Sequence, residues 1–130
     1  MKILFYDTKP YDREAFEKLA GKYPDIEIDY LKTDISSRTA PLSKDYDAVC
    51  LFVASDVGRR VVDILAENGV RLILMRCAGY NNVDLPAAQE HGISVMRVPG
   101  YSPEAIAEHA LALAFAVNRR IHKAYIKVRE

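Results

Sequence analysis

The chain has 130 residues, half of them hydrophobic and 28 % charged, which is enough for one soluble domain with a genuine core. Lys plus Arg and Asp plus Glu cancel at 18 each, so no global field favours nucleic acid or an acidic membrane as a partner. No apolar run approaches the ~20 residues of a membrane span, no signal-peptide core follows Met1, and Cys50 and Cys77 sit far apart in apolar runs, as reduced thiols of a cytoplasmic protein do.

Ile3 to Tyr6 is a short apolar run closed by Asp7-Thr8-Lys9-Pro10, the pattern of a buried strand and a loop. Asp12 is placed to cap a helix that carries Phe16, Leu19 and Ala20 on one face and ends near Gly21 to Pro24. Ile26, Ile28 and Tyr30 alternate with acids, which predicts a half-buried strand near a sheet edge. Thr33 to Lys44 is polar and reads as loop with one helical turn. Ala48 to Val53 is a fully apolar strand. Ser55 and Asp56 offer caps for a helix whose inward face is Val61, Ile64 and Leu65, stopped by Gly69. Leu72 to Met75 is the next buried strand. Asp84 caps a short helix through Ala87 and Ala88, with Pro86 in its first turn and Gly92 at its end. Ile93, Val95 and Val98 mark a fifth strand. From Ser102, a plausible cap followed by Pro103, the pattern stays helical nearly to the C-terminus.

Continuous apolar strands alternating with helices mean a parallel sheet covered on both faces. Right-handed crossovers then give an α/β, flavodoxin-like, doubly wound fold of five strands in the order 2-1-3-4-5. Residues 1–130 read as one domain without a linker. The C-terminal helix is apolar almost all round from Ala105 to Val117, so it needs burial on more than one side. One face suits this sheet and the other needs a partner. With that partner absent, the helix from Ser102 to Glu130 is expected to self-associate, with exchange between protomers as one route. The basic residues after Asn118 complement a helix C-terminus.

Ligands of such sheets bind beyond the carboxyl ends of the strands. Two of those ends close on glycine, at Cys77-Ala78-Gly79-Tyr80 and Val98-Pro99-Gly100-Tyr101, where backbone N–H groups can approach an anion closely. A plain turn held by the Asn81 and Asn82 side chains explains the first end equally well from local spacing. There is no Gly-x-Gly-x-x-Gly, no P-loop and no zinc-like cluster, and His91, His109 and His122 lie on separate segments.

The runs Arg76-Cys77-Ala78-Gly79-Tyr80-Asn81-Asn82-Val83-Asp84, Arg97-Val98-Pro99-Gly100-Tyr101-Ser102-Pro103-Glu104-Ala105-Ile106-Ala107-Glu108-His109-Ala110 and Asn118 to Tyr125 resemble the NAD-dependent D-lactate dehydrogenases of the D-2-hydroxyacid dehydrogenase family. The opening strand and Val49 to Val53 are also similar. This resemblance covers essentially the whole chain. It implies the substrate (catalytic) domain of an oxidoreductase that reduces pyruvate to D-lactate. It further implies that the backbone at Ala78 and Gly79 holds the substrate carboxylate and that Phe52 and Tyr101 line the pocket. In the family the catalytic histidine, its acidic partner, the orienting arginine and the dinucleotide fingerprint come from the nucleotide-binding domain or just after it. A segment from the C-terminus of the full protein also joins the substrate domain. None of these can be placed in these residues. The chain alone is therefore expected to bind no NAD, to take a small 2-oxo or 2-hydroxy acid only weakly, and to catalyse nothing.

Two other classes compete. One is a stand-alone flavodoxin-like binding domain. A phosphoacceptor type lacks an aspartate at the end of the third strand, and Thr8-Lys9-Pro10-Tyr11 is a poor phosphate loop for a flavin. The other is a non-catalytic scaffold, natural or engineered.

Overall fold

A computed structural model describes Met1–Arg129. The described chain divides into two compact units, Met1–Pro99 and the remainder from Gly100, and each is taken by itself.

The first unit is a five-stranded parallel sheet in the order β2-β1-β3-β4-β5, as the alternation of apolar strands and helices predicts. The strands are β1 (Lys2–Phe5), β2 (Glu27–Tyr30), β3 (Ala48–Leu51), β4 (Leu72–Met75) and β5 (Ser94–Arg97). Strand β3 is apolar throughout and wholly buried because it lies centrally with both faces covered. Helices α2 (Arg59–Glu67) and α3 (Leu85–Glu90) lie on one face. There Val61, Val62 and Leu65 join Leu4, Val49, Leu51, Ile73, Ala87 and Ala88 in the larger core. The inward face predicted for α2 thus shifts by part of a turn, since Val62 is buried where Ile64 is only partly so.

The other face carries Ile3, Phe5, Ala48 and Cys50. Helix α1 (Pro10–Ala20) reaches it through an edge-to-face contact of Phe16 on Phe5, with ring centroids 5.2 Å apart. That cover is thin: α1 buries none of its residues, and Leu72 and Leu74 remain partly exposed on the same face.

Helix starts differ from expectation in an informative way. Asp84 caps α3 as predicted, its carboxylate accepting from the Ala87 N–H at 2.9 Å. Asp12 does not cap α1. The N-cap is Lys9, and Asp12, one turn in, accepts the Lys9 N–H with its carboxylate. Gly58, not Ser55 or Asp56, is the N-cap of α2. Gly69 and Gly92 take positive φ, +87° and +68°, where the chain leaves α2 and α3, the conformation that glycine adopts without strain.

The second unit holds α4 (Pro103–Asn118) and α5 (Ile121–Arg129). The sequence pattern predicts one long helix. The structure breaks it at Arg120, which has a positive φ of 52°. No glycine or proline marks the break, so periodicity alone reads through it. Ser102 does take the N-cap position of α4, but its side chain makes no capping bond. Helix α4 buries none of its residues, and Ile106, Leu111, Leu113, Phe115 and Val117 are all exposed. An apolar helix in this state has no element of its own unit large enough to cover it.

Candidate functional site: the carboxyl ends of β3 and β4

Beyond Met75 the chain leaves the sheet through Arg76, whose N–H still donates to the Leu51 carbonyl at 2.9 Å. The next residues form an open loop. Its path is set by bonds that spare the backbone N–H groups at its tip. The Val98 N–H donates to the Cys77 carbonyl at 3.2 Å, and the Arg97 guanidinium donates to the Ala78 carbonyl at 2.9 Å. The Cys77 thiol donates to the Gly79 carbonyl at 3.2 Å. The N–H groups of Ala78 and Gly79 donate to no acceptor among the described residues. The same holds for the N–H groups of Tyr80, Asn81 and Asn82, so the whole loop carries unpaired donors among the described residues.

Gly79 itself is informative. Its φ is not positive, and a Cβ added there would meet nothing within 4 Å. Neither backbone conformation nor internal packing requires glycine at this position. The position leaves room for close approach from outside, as Gly21 and Gly100 do elsewhere in the chain.

The loop is stitched to the end of β3. The Asn82 carboxamide donates to the Ser55 carbonyl at 2.6 Å and to the Phe52 carbonyl at 3.4 Å. Behind it, the Val57 N–H donates to the Asn82 carbonyl and the Asp84 N–H to the Val57 carbonyl, a parallel bridge between Val57 and Val83. Asn82 thus ties two loops together instead of closing its own turn, which corrects the local reading of both asparagines. On the β3 side, the buried Ser55 hydroxyl accepts from the Phe52 N–H and donates to the Asp34 carboxylate at 2.7 Å. Ser55 serves this loop, not the helix that follows.

Phe52 is half-buried directly after β3. Its ring packs against the Arg76 guanidinium, whose carbon lies 4.8 Å from the ring centroid, and Phe5 stacks on the same guanidinium at 4.4 Å. Arg76 also donates to the Asp12 carboxylate at 3.0 Å and to the Tyr6 and Asp7 carbonyls at 2.9 and 3.3 Å. Burial pushes the Cys50 thiol up to about 12, and the Arg76 charge offsets only part of that rise. The structure therefore brings Ala78, Gly79 and Phe52 to neighbouring strand ends of one sheet. Tyr101 belongs to the second unit, where the residue is 65 % exposed. Sequence reasoning missed Arg76, Asp12, Ser55 and Asp34, because their partners lie tens of residues away.

A groove of about 600 Å³ lies elsewhere, lined by Ile3, Phe16, Leu19, Ala20 and Ile28 among others, and includes none of these site residues. Arg13, Glu17, Tyr23, Asp29 and Tyr30 also line it, and the Arg13 guanidinium is paired with the Glu17 carboxylate.

The family model for the catalytic domain of the D-isomer specific 2-hydroxyacid dehydrogenases matches residues 3–130. This chain belongs to that family. Over its full length it is 47 % identical to 2-hydroxyacid dehydrogenase homolog 1 of Schizosaccharomyces pombe, covering 39 % of that protein. It is similar to the apo-structure of D-lactate dehydrogenase from Escherichia coli, with a TM-score of 0.80 and 43 % identity over 99 % of this chain and 40 % of that one. It is also similar to the D-lactate dehydrogenase with NAD+ from Lactobacillus jensenii, at TM-score 0.70 and 28 % identity, over all of this chain and 40 % of that one. The chain thus spans about two fifths of the length of the relatives it matches.

The β1–α1 turn does not offer a dinucleotide pyrophosphate site. A dinucleotide pyrophosphate needs free N–H groups at a glycine-rich first βα turn and a helix N-terminus. Here the Asp7 and Thr8 N–H groups are taken by the Thr33 and Leu31 carbonyls, and the Asp12 carboxylate occupies the start of α1. Asp7 adds a negative charge at the same turn. No helix among the described residues is long and apolar enough to cross a membrane.

Proposed function

We propose that this chain is the substrate-binding part of a D-2-hydroxyacid dehydrogenase acting on pyruvate and D-lactate, and that its loop Ala78-Gly79 cradles the substrate carboxylate. The observation that carries this reading is Gly79. It is a glycine that neither φ nor packing requires, beside two adjacent N–H donors without internal acceptors. A carboxylate oxygen accepting from both would form charge-assisted bonds, roughly twice as strong as neutral ones. Phe52, directly after β3, supplies an apolar wall that suits the methyl end of such an acid. Hydride transfer needs a nicotinamide and a general acid, which residues outside this chain would supply in the family. The 130-residue chain binds the acid weakly and does not reduce it.

An NMR titration with pyruvate tests this. Movement of the Ala78 and Gly79 amides, abolished in Gly79→Val while the remaining amides keep their positions, is the expected result. Flat shifts at millimolar pyruvate, or a Gly79→Val variant that responds like the parent, would refute the cradle. Oxidation of NADH with pyruvate by this chain alone would refute the division of labour.

A further inference from the structure

Arg76 is more elaborately held than any other cation near the strand ends. Its side chain is only 12 % exposed, as is that of its partner Asp12. The guanidinium carbon lies over the Phe5 ring at 4.4 Å and over the Phe52 ring at 4.8 Å, and the group bonds to a carboxylate and two carbonyls of the β1–α1 connection. Burying a charge is costly unless it is paired in this way. Its Nε is nevertheless buried without a hydrogen-bond partner. A side chain that served only to neutralise Asp12 would not need two aromatic rings beside its guanidinium.

We propose that Arg76 is a positioning residue of the substrate pocket: anchored on Asp12, Tyr6 and Asp7, it fixes the Phe52 ring through a flat stacking face. This rests on the reading of Phe52 as a wall of that pocket. Phe52 has its backbone fixed by Ser55 and Asn82, but Arg76 is the one cation stacked on its ring among the described residues. The stack is specific to arginine, because an ammonium presents a point charge and no plane.

The test compares Arg76→Met, Arg76→Lys and Asp12→Asn in the 130-residue chain. Two readouts are followed: the Phe52 ring resonances, and the apparent Kd for pyruvate from the Ala78 and Gly79 amides. In Arg76→Met the strand amides keep their dispersion, the Phe52 ring signals move, and Kd rises about tenfold, the scale of one lost interaction with a charged group. Arg76→Lys restores part of the affinity but not the Phe52 signals. Asp12→Asn, which removes one anchor and keeps the stack, gives a smaller movement and a change of roughly two- to threefold. Folded variants with unmoved Phe52 signals and parental Kd would overturn the proposal, leaving Arg76 as a structural ion-pair partner only. If Arg76→Met does not fold, Arg76→Lys and Asp12→Asn carry the same test, and unchanged readouts in both overturn it. Silence of the parent's Ala78 and Gly79 amides toward pyruvate would instead refute the cradle. The Phe52 signals would still report whether Arg76 holds the ring.

Discussion

Asn81 and Asn82 are adjacent and chemically identical, yet the structure gives them unequal work, so replacing each with alanine is a sharp test. Asn82→Ala removes the bonds from its carboxamide to the Ser55 carbonyl at 2.6 Å and the Phe52 carbonyl at 3.4 Å. A protein hydrogen bond contributes about 0.5–1.5 kcal/mol net, with the longer one at the low end, so the pair is worth about 1–2 kcal/mol. The Phe52 carbonyl keeps the Ser55 N–H as a partner, which limits the desolvation cost. For a unit of roughly 100 residues, each kcal/mol moves Tm by about 4–8 °C, so a fall of roughly 5–15 °C is expected. The Asn81 side chain makes no bond within the described chain and is exposed, so Asn81→Ala changes stability by less than about 0.5 kcal/mol. Asn82→Asp should be worse than Asn82→Ala, because it aims a carboxylate at two carbonyl oxygens. Chemical denaturation of all three variants measures these differences. Equal midpoints for Asn81→Ala and Asn82→Ala would refute the stitch between the loops.

Three further outcomes are expected. The Asp29 carboxylate, which accepts the Tyr46 hydroxyl, together with burial pushes Tyr46 up to about 12. An unfolded tyrosine ionises near pH 10. The folded state therefore keeps a proton that the unfolded state loses. This stability is complete below about pH 10 and is lost as pH rises toward 12. Denaturant midpoints should fall across that window and fall less in Tyr46→Phe; equal slopes would refute the assignment. Cys50 and Cys77 are both buried with thiols raised by burial, so alkylation at pH 8 should be far slower in the native than in the unfolded chain. Rapid native labelling of both would contradict the packing. The exposed apolar residues of α4 should drive self-association, seen as a scattering mass that rises with concentration and is suppressed in Leu113→Lys. A strictly monomeric parent at high concentration would exclude this.

The sheet was legible in the sequence because its three inner strands are short apolar runs between turn residues and its edge strands β2 and β5 alternate. The order followed from crossover handedness, and the Asp84 cap was legible because an N-cap is a local event. Asp12 was misread as a cap for the complementary reason. Its charge partner, Arg76, lies on β4's exit, and nothing within a few residues of Asp12 signals it. The same holds for Ser55 with Asp34, and for Asn82, whose targets lie across the loop. The bend at Arg120 escaped because it uses an arginine in a region where glycine or asparagine is the usual signal. Ala78 and Gly79 could be picked out as glycine-closed strand ends. The φ of Gly79 and the open space around it are set by the fold and had no local signal.

That empty space has a practical consequence. Since the fold does not need glycine at position 79, a screen that scores folding alone should accept small residues there as readily as the parent. A screen that scores ligand capture should reject them. At Asn82 and Arg76 the two scores should fall together, because the same bonds hold the loops and shape the site. The difference between the two maps, position by position, would outline the ligand's footprint without a ligand ever being seen.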